Sequence, residues 1–452
     1  MSNMQALSER TLTEILNGPV YQAYSYSYPH KTSYRTFSEP VSLQDIWQHE
    51  KQDSLFLYVH IPFCEMRCGF CNLFTLVRPD GDLPDFYLDA LERQIQSLEP
   101  ILGDARFARY AIGGGTPTYL TTSQLSRLFD LTSFRGAVTN IPIGIETSPD
   151  TISVDKVRLL EERRVSRISM GVQSFTNDEM QMLARRQDNN QVFNAIEIIR
   201  ANSAADLNLD LIYGIAGQTV ESWLYSLKQA LLCSPEELYL YPLYVRAKTG
   251  LGKVEDKKRI PTDLPDADML ALYRVGRDFL LAEGYQQVSM RMFRRGDAAE
   301  RDMPTYTCQE DGMLGLGAGA RSYTQELHYS SEYAVGRHGV KDIIEHYIDL
   351  PQKSFSQAHY GVHLSVHEQK RRFVMQSLLA IDGLNINAYA TRFKSDCLID
   401  FVQLNELFNA GLAEKNVDLI TLNAAGLERA DSIGPWLASN AVKERMREYQ
   451  LK

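Results

Sequence analysis

The stretch that decides the fold runs Leu55-Phe-Leu-Tyr-Val-His-Ile-Pro-Phe-Cys64-Glu-Met-Arg-Cys68-Gly-Phe-Cys71. Its first seven residues are mostly apolar, β-branched or aromatic, which predicts a short buried strand. Three cysteines follow within eight positions, with the spacing Cys-x3-Cys-x2-Cys, whereas Cys233, Cys308 and Cys397 are scattered. In a cytosolic chain, such a trio directly after a strand indicates a metal or redox site rather than disulfide bridges.

Length and composition fit this interpretation. The chain has 452 residues, of which 44% are hydrophobic and 23% charged, as in ordinary soluble globular proteins. Its formal net charge of −10 disfavours nucleic acid as a partner. No apolar run is long enough to span a bilayer, and no secretory signal pattern opens the chain. We therefore expect a cytoplasmic protein with no membrane association.

A regular alternation of strands and helices extends from the first strand to about residue 244. Further strand-like runs occur at 110–113, 141–146, 168–172, 207–213 and 238–243, and helix-like stretches lie between them. This pattern is typical of βα units around a parallel sheet. Six units predict an α/β fold with a partial (β/α)6 TIM-like barrel, and a doubly wound sheet is the alternative. In both, functional residues lie at the carboxyl ends of the strands.

The pattern divides the chain into four regions. A tyrosine-rich N-terminal extension (1–50) is expected to be extended around residues 24–28 and to pack on the domain surface. The barrel occupies 51–250. A barrel extension (251–355) contains a charged loop at 253–259, a helix at 266–283 and a strand at 285–293 that faces substrate. A mostly helical region (356–452) has a helix at 398–413, and its segment 411–428 resembles a winged helix.

The number of cysteines limits what the trio can hold. A structural zinc ion takes four ligands, usually from two paired half-sites, and no second pair is present in the sequence. A complete iron–sulfur cluster usually takes four thiolates, so three thiolates leave one iron open. S-adenosylmethionine (SAM) can bind an open iron through its amino and carboxylate groups. A zinc knuckle is the alternative.

The spacing Cys-x3-Cys-x2-Cys, with an aromatic residue before the last cysteine, resembles the radical SAM signature. The longer string from Tyr58 to Cys64 is similar to the branch that contains oxygen-independent coproporphyrinogen III oxidase. The resemblance covers about residues 20–440 and implies a [4Fe-4S] cluster on Cys64, Cys68 and Cys71. It also implies that the open iron binds SAM and that one electron releases a 5′-deoxyadenosyl radical.

The same resemblance assigns the residues that contact SAM. They lie on the first strand, in the cysteine loop, in the run Gly113-Gly-Gly-Thr-Pro-Thr118, and in or after later strands: Tyr58, Phe70, Gly114, Gly115, Thr116, Glu146, Gln173, Arg185 and Asp210. A second SAM site is open, because Tyr244 aligns with a position that is small in the coproporphyrinogen enzyme. Arg321 stands where that enzyme has an apolar residue. No catalytic acid or base is assigned.

The resemblance implies an oxidoreductase of porphyrin and haem metabolism. We expect a small-molecule substrate, for which a tetrapyrrole is the candidate, and an external one-electron donor of the flavodoxin or ferredoxin type. Arg291 and Arg321 are candidates for binding substrate carboxylates, with exposed surface charges as the alternative. Two other functions stay open: a radical C-methyltransferase or cyclopropanase acting on a non-tetrapyrrole, and a haem chaperone. Cys308 is expected to be an inert thiol.

Overall fold

The computed structural model describes residues 11–134, 138, 140–246, 248–258, 261–296 and 312–450. Its strands, in chain order, are β1 (Arg35–Ser42), β2 (Leu55–Ile61), β3 (Phe63–Cys64), β4 (Leu76–Val77), β5 (Phe107–Gly114), β6 (Ile143–Thr147), β7 (Arg167–Gln173), β8 (Asp206–Tyr213), β9 (Glu237–Pro242), β10 (Tyr285–Gln287), β11 (Met292–Arg295), β12 (Met313–Leu316), β13 (Arg321–Tyr323), β14 (Leu327–Ser330), β15 (Gln357–His363), β16 (Leu384–Asn385), β17 (Ala413–Lys415) and β18 (Leu419–Leu422).

The α-helices begin before the first strand and continue to the end of the described chain. In order they are α1 (Leu12–Leu16), α2 (Leu43–Trp47), α3 (Leu83–Leu102), α4 (Thr122–Leu131), α5 (Val154–Glu162), α6 (Asn177–Met182), α7 (Asn189–Asn202), α8 (Val220–Leu232), α9 (Gly250–Lys258), α10 (Asp266–Ala282), α11 (Arg337–Asp349), α12 (Val366–Leu378), α13 (Ile386–Phe393), α14 (Cys397–Asp400), α15 (Leu404–Asn409), α16 (Ala424–Leu427), α17 (Ala430–Leu437) and α18 (Asn440–Glu448).

Six parallel strands form the centre of a 13-stranded sheet. Strands β2, β5, β6, β7, β8 and β9 lie side by side in chain order, and helices connect each to the next. Every crossover therefore moves in the same direction, as in a barrel, whereas a doubly wound sheet reverses direction at a switch point. The predicted (β/α)6 arrangement is confirmed.

Strand register brings the carboxyl ends of these strands to one side. Ile61 pairs with Gly114, Thr147 pairs with Met170, and Tyr213 pairs with Pro242. The strands are buried along most of their length, which is typical of a parallel sheet covered on both faces. Residues that follow the strand ends therefore approach one another from distant parts of the sequence.

The sheet continues beyond the six strands on both sides. Antiparallel β11 and β10 follow β9, while β12 pairs in parallel with β2 and leads through β13, β14 and β15 to β1. The turn of β12 into β13 brings Arg321 to the same side as the cysteine loop. Among the described residues, β1 and β10 are the two edge strands of the sheet, and no pairing joins them.

Three predicted elements of the second half differ from the structure. The charged segment at 253–259 was expected to be a loop, but Gly250–Lys258 is helix α9. The expected strand at 285–293 is interrupted, because the Ser289 hydroxyl oxygen accepts hydrogen bonds from the backbone N–H groups of Arg291 and Met292 and turns the chain. The expected helix at 398–413 is divided into α14 and α15.

The tyrosine-rich segment also differs from its prediction. It forms no strand at residues 24–28, and it does not lie on the surface: Tyr28 and Tyr34 are buried. The Tyr28 hydroxyl accepts a hydrogen bond from the Ser439 N–H at 3.1 Å, and the Ala23 N–H donates to the Asp431 carbonyl oxygen at 3.3 Å. The segment therefore runs between the barrel and the last helices.

The last third of the chain is mostly helical, with a three-stranded antiparallel sheet of β16, β18 and β17. Residues 411–428 form the end of a helical segment, a hairpin and a further helix, in the order that the sequence predicts. None of the helices in the described ranges combines the length and the apolar character that a membrane crossing would require.

Candidate radical SAM site

The cysteine loop is fixed directly at the end of β2. Strand β3 pairs with β4, which sets Cys64 opposite Val77, and the Gly69 N–H donates to the Leu183 carbonyl oxygen at 2.8 Å. Cys64 and Cys68 are buried and Cys71 is partly buried, and all three are free thiols. The sequence-predicted trio is therefore held in one short loop at the carboxyl end of the first parallel strand.

The surroundings of these thiols fit an iron–sulfur cluster. Burial raises the pKa of Cys64 and of Cys71, so the thiolates need nearby positive charge, which iron supplies. The Nη1 atom of Arg185 lies 3.1 Å from the Cys68 Sγ atom. No three His, Cys, Asp or Glu side chains within the described ranges converge on one metal position. A four-iron cluster uses a different arrangement, with one thiolate for each iron.

The glycine run packs against this loop. The Gly115 N–H donates to the Ile61 carbonyl oxygen at 2.8 Å, and the Thr116 hydroxyl lies 3.5 Å from the Cys64 Sγ atom. Gly114 has φ of +113°, and a Cβ atom there would lie 2.5 Å from the His60 ring. Only glycine satisfies both requirements. The backbone can therefore come close to a ligand beside the cluster loop.

Two carboxyl groups belong to β6 and β8, which lie on either side of β7 in the sheet. Glu146 accepts a hydrogen bond from the Gly114 N–H at 2.9 Å. Burial raises the pKa of Glu146 to about 7, the Gly114 N–H lowers it, and Asp210 raises it. Burial likewise raises the pKa of Asp210 to about 6, against a hydrogen bond from Asn208. The side chain of Glu146 is accessible from the site although it lies deep among protein atoms.

Gln173 and Arg185 come together at the end of β7. Gln173 has a left-handed backbone with φ of +72°, and the register between β7 and β8 shifts at this point. The Arg185 guanidinium donates to the Gly171 carbonyl oxygen at 2.8 Å, next to the Gln173 side-chain amide. A β-bulge of this kind redirects a side chain next to a functional site. Arg185 therefore bridges β7 and the cysteine loop.

The two aromatic residues assigned to SAM, Tyr58 and Phe70, have different neighbours. The Tyr58 hydroxyl lies 3.3 Å from the His60 Nδ1 atom, and the His60 Nε2 atom lies 3.1 Å from the Phe74 carbonyl oxygen. A carbonyl oxygen accepts only, so Nε2 carries the proton. Burial lowers the pKa of His60 to about 4, so the ring is neutral. Phe70 packs on a separate apolar group that includes Ile212 and Leu243.

A cavity of about 110 Å³ opens beside Glu146, and we call it the Glu146 cavity. Tyr58, His60 and Gly114 form one wall, while Arg321 and Lys31 form part of the other. The Lys31 Nζ atom lies 3.4 Å from the centre of the Tyr333 ring, and the Arg321 Nη1 atom donates to the Tyr26 hydroxyl at 2.6 Å. Neither cation has an acidic ion-pair partner among the described residues. The lining of the cavity therefore combines two cations with two carboxyl groups, those of Glu146 and Glu332.

Lys31, Tyr26 and Tyr333 are functional candidates that the sequence analysis missed. Lys31 and Tyr26 belong to the segment expected on the surface, and Tyr333 lies in a loop without a motif. Lys31 is the single lysine of residues 1–50, and this is the local signal that could have marked it. Cys308, the other candidate of the last third, lies outside the described residues.

Arg291 and Tyr244 lie away from the Glu146 cavity. The Arg291 guanidinium donates to the Tyr244 hydroxyl at 2.7 Å and to Asp431 at 2.5 and 2.7 Å. Its Cζ atom also lies 3.9 Å from the centre of the Tyr24 ring. Arg291 and Asp431 are buried, 3% and 1% exposed. Two arginines were predicted to bind substrate. Arg321 lines the Glu146 cavity, whereas Arg291 is not among the described residues that line it.

Comparison with known proteins agrees with this geometry. The Radical SAM superfamily model matches residues 58–230. Oxygen-independent coproporphyrinogen III oxidase of Salmonella typhimurium is 30% identical over 429 residues, covering 90% of this chain and 91% of that protein. Heme chaperone HemW of Bacillus subtilis is 29% identical over 347 residues, covering 72% and 88%. The structure of coproporphyrinogen III oxidase (HemN) from Escherichia coli has a TM-score of 0.77 at 27% identity, covering 92% and 97%.

The chain belongs to the radical SAM superfamily. Its fold and its cysteine loop are those of a radical SAM oxidoreductase, and family membership implies a [4Fe-4S] cluster and SAM. Within the superfamily it lies in the branch of the oxygen-independent coproporphyrinogen III oxidases.

Proposed function

We propose that this enzyme reductively cleaves SAM and acts on a tetrapyrrole that carries carboxylate side chains. The observation that carries the proposal is the pair of cations, Lys31 and Arg321, in the cavity beside Glu146. Buried charges without partners are costly, so two cations facing a cavity favour an anionic ligand. Its relatives include oxidases named for coproporphyrinogen III, a molecule that presents propionates beside apolar pyrrole rings.

The residues of the cavity suit one edge of such a substrate. Arg321 can bind a carboxylate through two N–H groups, and Lys31 supplies a point charge. Phe74, Tyr333 and Tyr360 provide flat apolar surface beside them. Typical ligand sites measure about 300–1,000 Å³, so a cavity of about 110 Å³ takes one propionate between Lys31 and Arg321, while Tyr58, Gly114 and Glu146 line the part assigned to SAM. The rest of the substrate would lie across the mouth.

The pKa of the neighbouring Tyr26 indicates that the cavity favours an anion. Burial alone would raise the pKa of Tyr26, but Arg321 and Lys31 together lower it to about 8. The two cations therefore make the local potential positive, which lowers the cost of placing a negative charge here. A substrate carboxylate would gain from the same potential without the cost of deprotonating a phenol.

The SAM residues would act by binding and orientation. When bound, the cluster supplies one electron to SAM, which releases methionine and a 5′-deoxyadenosyl radical. Arg185 is positioned for the SAM carboxylate, and Glu146 can accept hydrogen bonds from ribose hydroxyls or an ammonium group. The buried walls around Phe70 exclude water, which protects a reactive carbon radical from side reactions.

We infer further that one SAM molecule binds at a time. The Tyr244 ring occupies the position where the resemblance requires a small residue, and it is held by Arg291 and Asp431. This arrangement disfavours a C-methyltransferase or a cyclopropanase that needs two SAM molecules together. Equilibrium dialysis with labelled SAM should give about one SAM per cluster. A ratio of two would contradict this inference.

The test of function uses the reconstituted protein under anaerobic conditions with dithionite and SAM. With coproporphyrinogen III and an added one-electron acceptor, which takes the electron that the substrate radical loses together with CO2, we expect 5′-deoxyadenosine and a decarboxylated tetrapyrrole. 5′-Deoxyadenosine without any tetrapyrrole product or binding would reject the substrate and leave the SAM chemistry standing.

A haem chaperone is the second candidate, because HemW of Bacillus subtilis is matched over 88% of its length. Haem titration of the reconstituted protein distinguishes the two functions. Stable haem binding with little SAM cleavage would favour the chaperone, whereas haem binding weaker than coproporphyrinogen binding would favour the enzyme.

A further inference from the structure

A second concavity lies on the other side of the cysteine loop, with a volume of about 410 Å³. We call it the arginine surface, because four arginines line it: Arg67, Arg78, Arg186 and Arg337. Glu65 and Met66 of the cysteine loop also belong to the lining. Arg78, Arg186 and Arg337 are exposed, and Arg67 is partly exposed. The chain as a whole carries a formal net charge of −10, so this is a basic area on an acidic protein.

The positive charge of the arginine surface is not neutralised locally. In the described ranges, none of its four arginines has an ion-pair partner. Glu65, the acidic residue in the lining, accepts a hydrogen bond from the Ser148 hydroxyl at 2.7 Å. Backbone carbonyls fix two of the cations: Arg67 donates to Val335 at 2.5 Å and Arg78 donates to Glu65 at 3.1 Å. The surface is thus a preformed group of like charges, which attracts an anionic partner.

The location of this surface relates it to the cluster. Glu65, Met66 and Arg67 are the residues between Cys64 and Cys68. Val77 lines the same concavity and pairs with Cys64 in the register of β3 and β4. Ala184 and Arg186 flank Arg185, whose Nη1 atom contacts the Cys68 Sγ atom. The cysteine loop therefore separates the arginine surface from the Glu146 cavity.

We propose that the arginine surface is the docking site for an acidic one-electron carrier protein of the flavodoxin or ferredoxin class. Each SAM cleavage consumes one electron, which the carrier loses and the cluster gains. The arginine surface shares no lining residue with the Glu146 cavity, so a carrier docked there would approach the cysteine loop without entering that cavity. Complementary charge brings such partners together and orients them. The inference rests on the cluster and not on the choice of substrate.

The test compares two double variants of the cluster-loaded protein. Arg78→Glu with Arg337→Glu reverses two charges of the arginine surface, and Arg337 begins α11, where an acidic residue suits the helix dipole. The matched control, Arg158→Glu with Lys228→Glu, makes the same change in net charge at exposed positions of α5 and α8. Arg186 is left intact because it adjoins Arg185. The probe is a bacterial flavodoxin, and calorimetry at low and high salt measures its dissociation constant.

We expect the arginine-surface variant to bind flavodoxin about ten-fold or more weakly at low salt, and the difference to shrink as salt screens the charges. The control variant should bind like the wild type. SAM cleavage driven by reduced flavodoxin should fall with binding, while cleavage driven by dithionite stays unchanged, because a small reductant needs no docking.

Three results would overturn the proposal. The first is equal flavodoxin affinity in both double variants. The second is loss of dithionite-driven cleavage at normal iron content, which would mean that these arginines support the SAM site instead. The third is that heparin, a polyanion, binds the wild type and not the arginine-surface variant, while the variant still binds flavodoxin. Each readout is independent of the tetrapyrrole assays, so failure here leaves the proposed function untouched.

Discussion

Arg185 and Cys68 are joined through a contact of 3.1 Å between Nη1 and Sγ, while the same guanidinium donates to the Gly171 carbonyl oxygen. One side chain thus connects the end of the fourth parallel strand with the loop that carries the cysteines. Arginine keeps its charge at any physiological pH. It can therefore stabilise negative charge on a cysteine ligand and on a ligand carboxylate bound beside it.

Replacing Arg185 by Met should weaken SAM binding about ten- to hundred-fold, because a charge-assisted hydrogen bond contributes about 1.5–3 kcal/mol. Iron content should stay near the wild-type value, since the thiolates themselves are retained. Equilibrium dialysis and iron analysis on the same preparation measure both. Unchanged SAM affinity would remove Arg185 from the SAM site.

Replacing Cys64, Cys68 or Cys71 by Ala should abolish the iron–sulfur absorption after anaerobic reconstitution, because a cluster with two protein thiolates is poorly held. Wild-type protein should contain about four irons per chain. Cys233→Ala is the matched control, since Cys233 follows α8 at a distance from the loop in sequence and is also a free thiol. Zinc in place of iron in the reconstituted wild type would overturn the assignment of the cluster.

The affinity for SAM should depend on pH through Glu146. Its pKa is raised to about 7, so the carboxyl group is partly neutral near neutrality and becomes a stronger acceptor as pH rises. SAM binding should tighten between about pH 6 and pH 8 in the wild type, and Glu146→Gln should flatten this dependence.

Folding stability should change with pH in the opposite sense when SAM is absent. Glu146 keeps its proton up to a higher pH in the folded state than in the unfolded chain. The contribution of this proton to the free energy of unfolding is therefore complete below the ordinary pKa of a glutamate and is lost as pH rises to about 7. Urea unfolding across this range measures the effect. A Gln variant with the wild-type pH profile would show that another group, such as Asp210, dominates.

Replacing Arg291 by Ala should lower the free energy of unfolding by about 3–5 kcal/mol, because it leaves Asp431 buried and unpaired. The double variant Arg291→Met with Asp431→Leu should recover much of that loss, since no unpaired charge remains. Urea unfolding of the single and double variants compares them. If Arg291→Ala keeps wild-type stability and binds coproporphyrinogen III more weakly, Arg291 acts on substrate.

Lys31→Met and Arg321→Met should each weaken coproporphyrinogen III binding about ten-fold or more, because each removes a charged hydrogen-bond donor from the Glu146 cavity. The matched comparison is a tetrapyrrole without propionates. The wild type and both variants should bind this ligand equally weakly. Fluorescence titration under anaerobic conditions measures all of these affinities. Equal loss of binding for both ligands would indicate that the substitutions disturb the fold.

Local sequence signals predicted the barrel, because each parallel strand is a compact apolar run. Glu146 and Gln173 lie at or near the ends of β6 and β7, and Asp210 lies inside β8. Their assignment to SAM stays a prediction. The cysteine spacing is also local. What the sequence did not reveal depends on distant partners: Asp431, which fixes Arg291, lies 140 residues further along the chain.

The segment at 285–293 shows a second reason why the sequence did not predict part of the fold. Its alternating Val, Met and Arg residues are typical of a strand, but the Ser289 side chain accepts two backbone hydrogen bonds and turns the chain. Serine competes with regular structure in this way. Burial of the tyrosine-rich segment escaped prediction as well, because its partners are the last helices and no local pattern specifies them.

The path of the tyrosine-rich segment has a consequence for biosynthesis. Residues of this segment are synthesised 412 positions before the partners that hold them: the Ser432 hydroxyl donates to the Val20 carbonyl oxygen, and Arg445 donates to the Ser33 carbonyl oxygen. During synthesis, the barrel and its cysteine loop are therefore present before these two contacts can form. Cluster insertion in that interval would precede closure of the Lys31 side of the site.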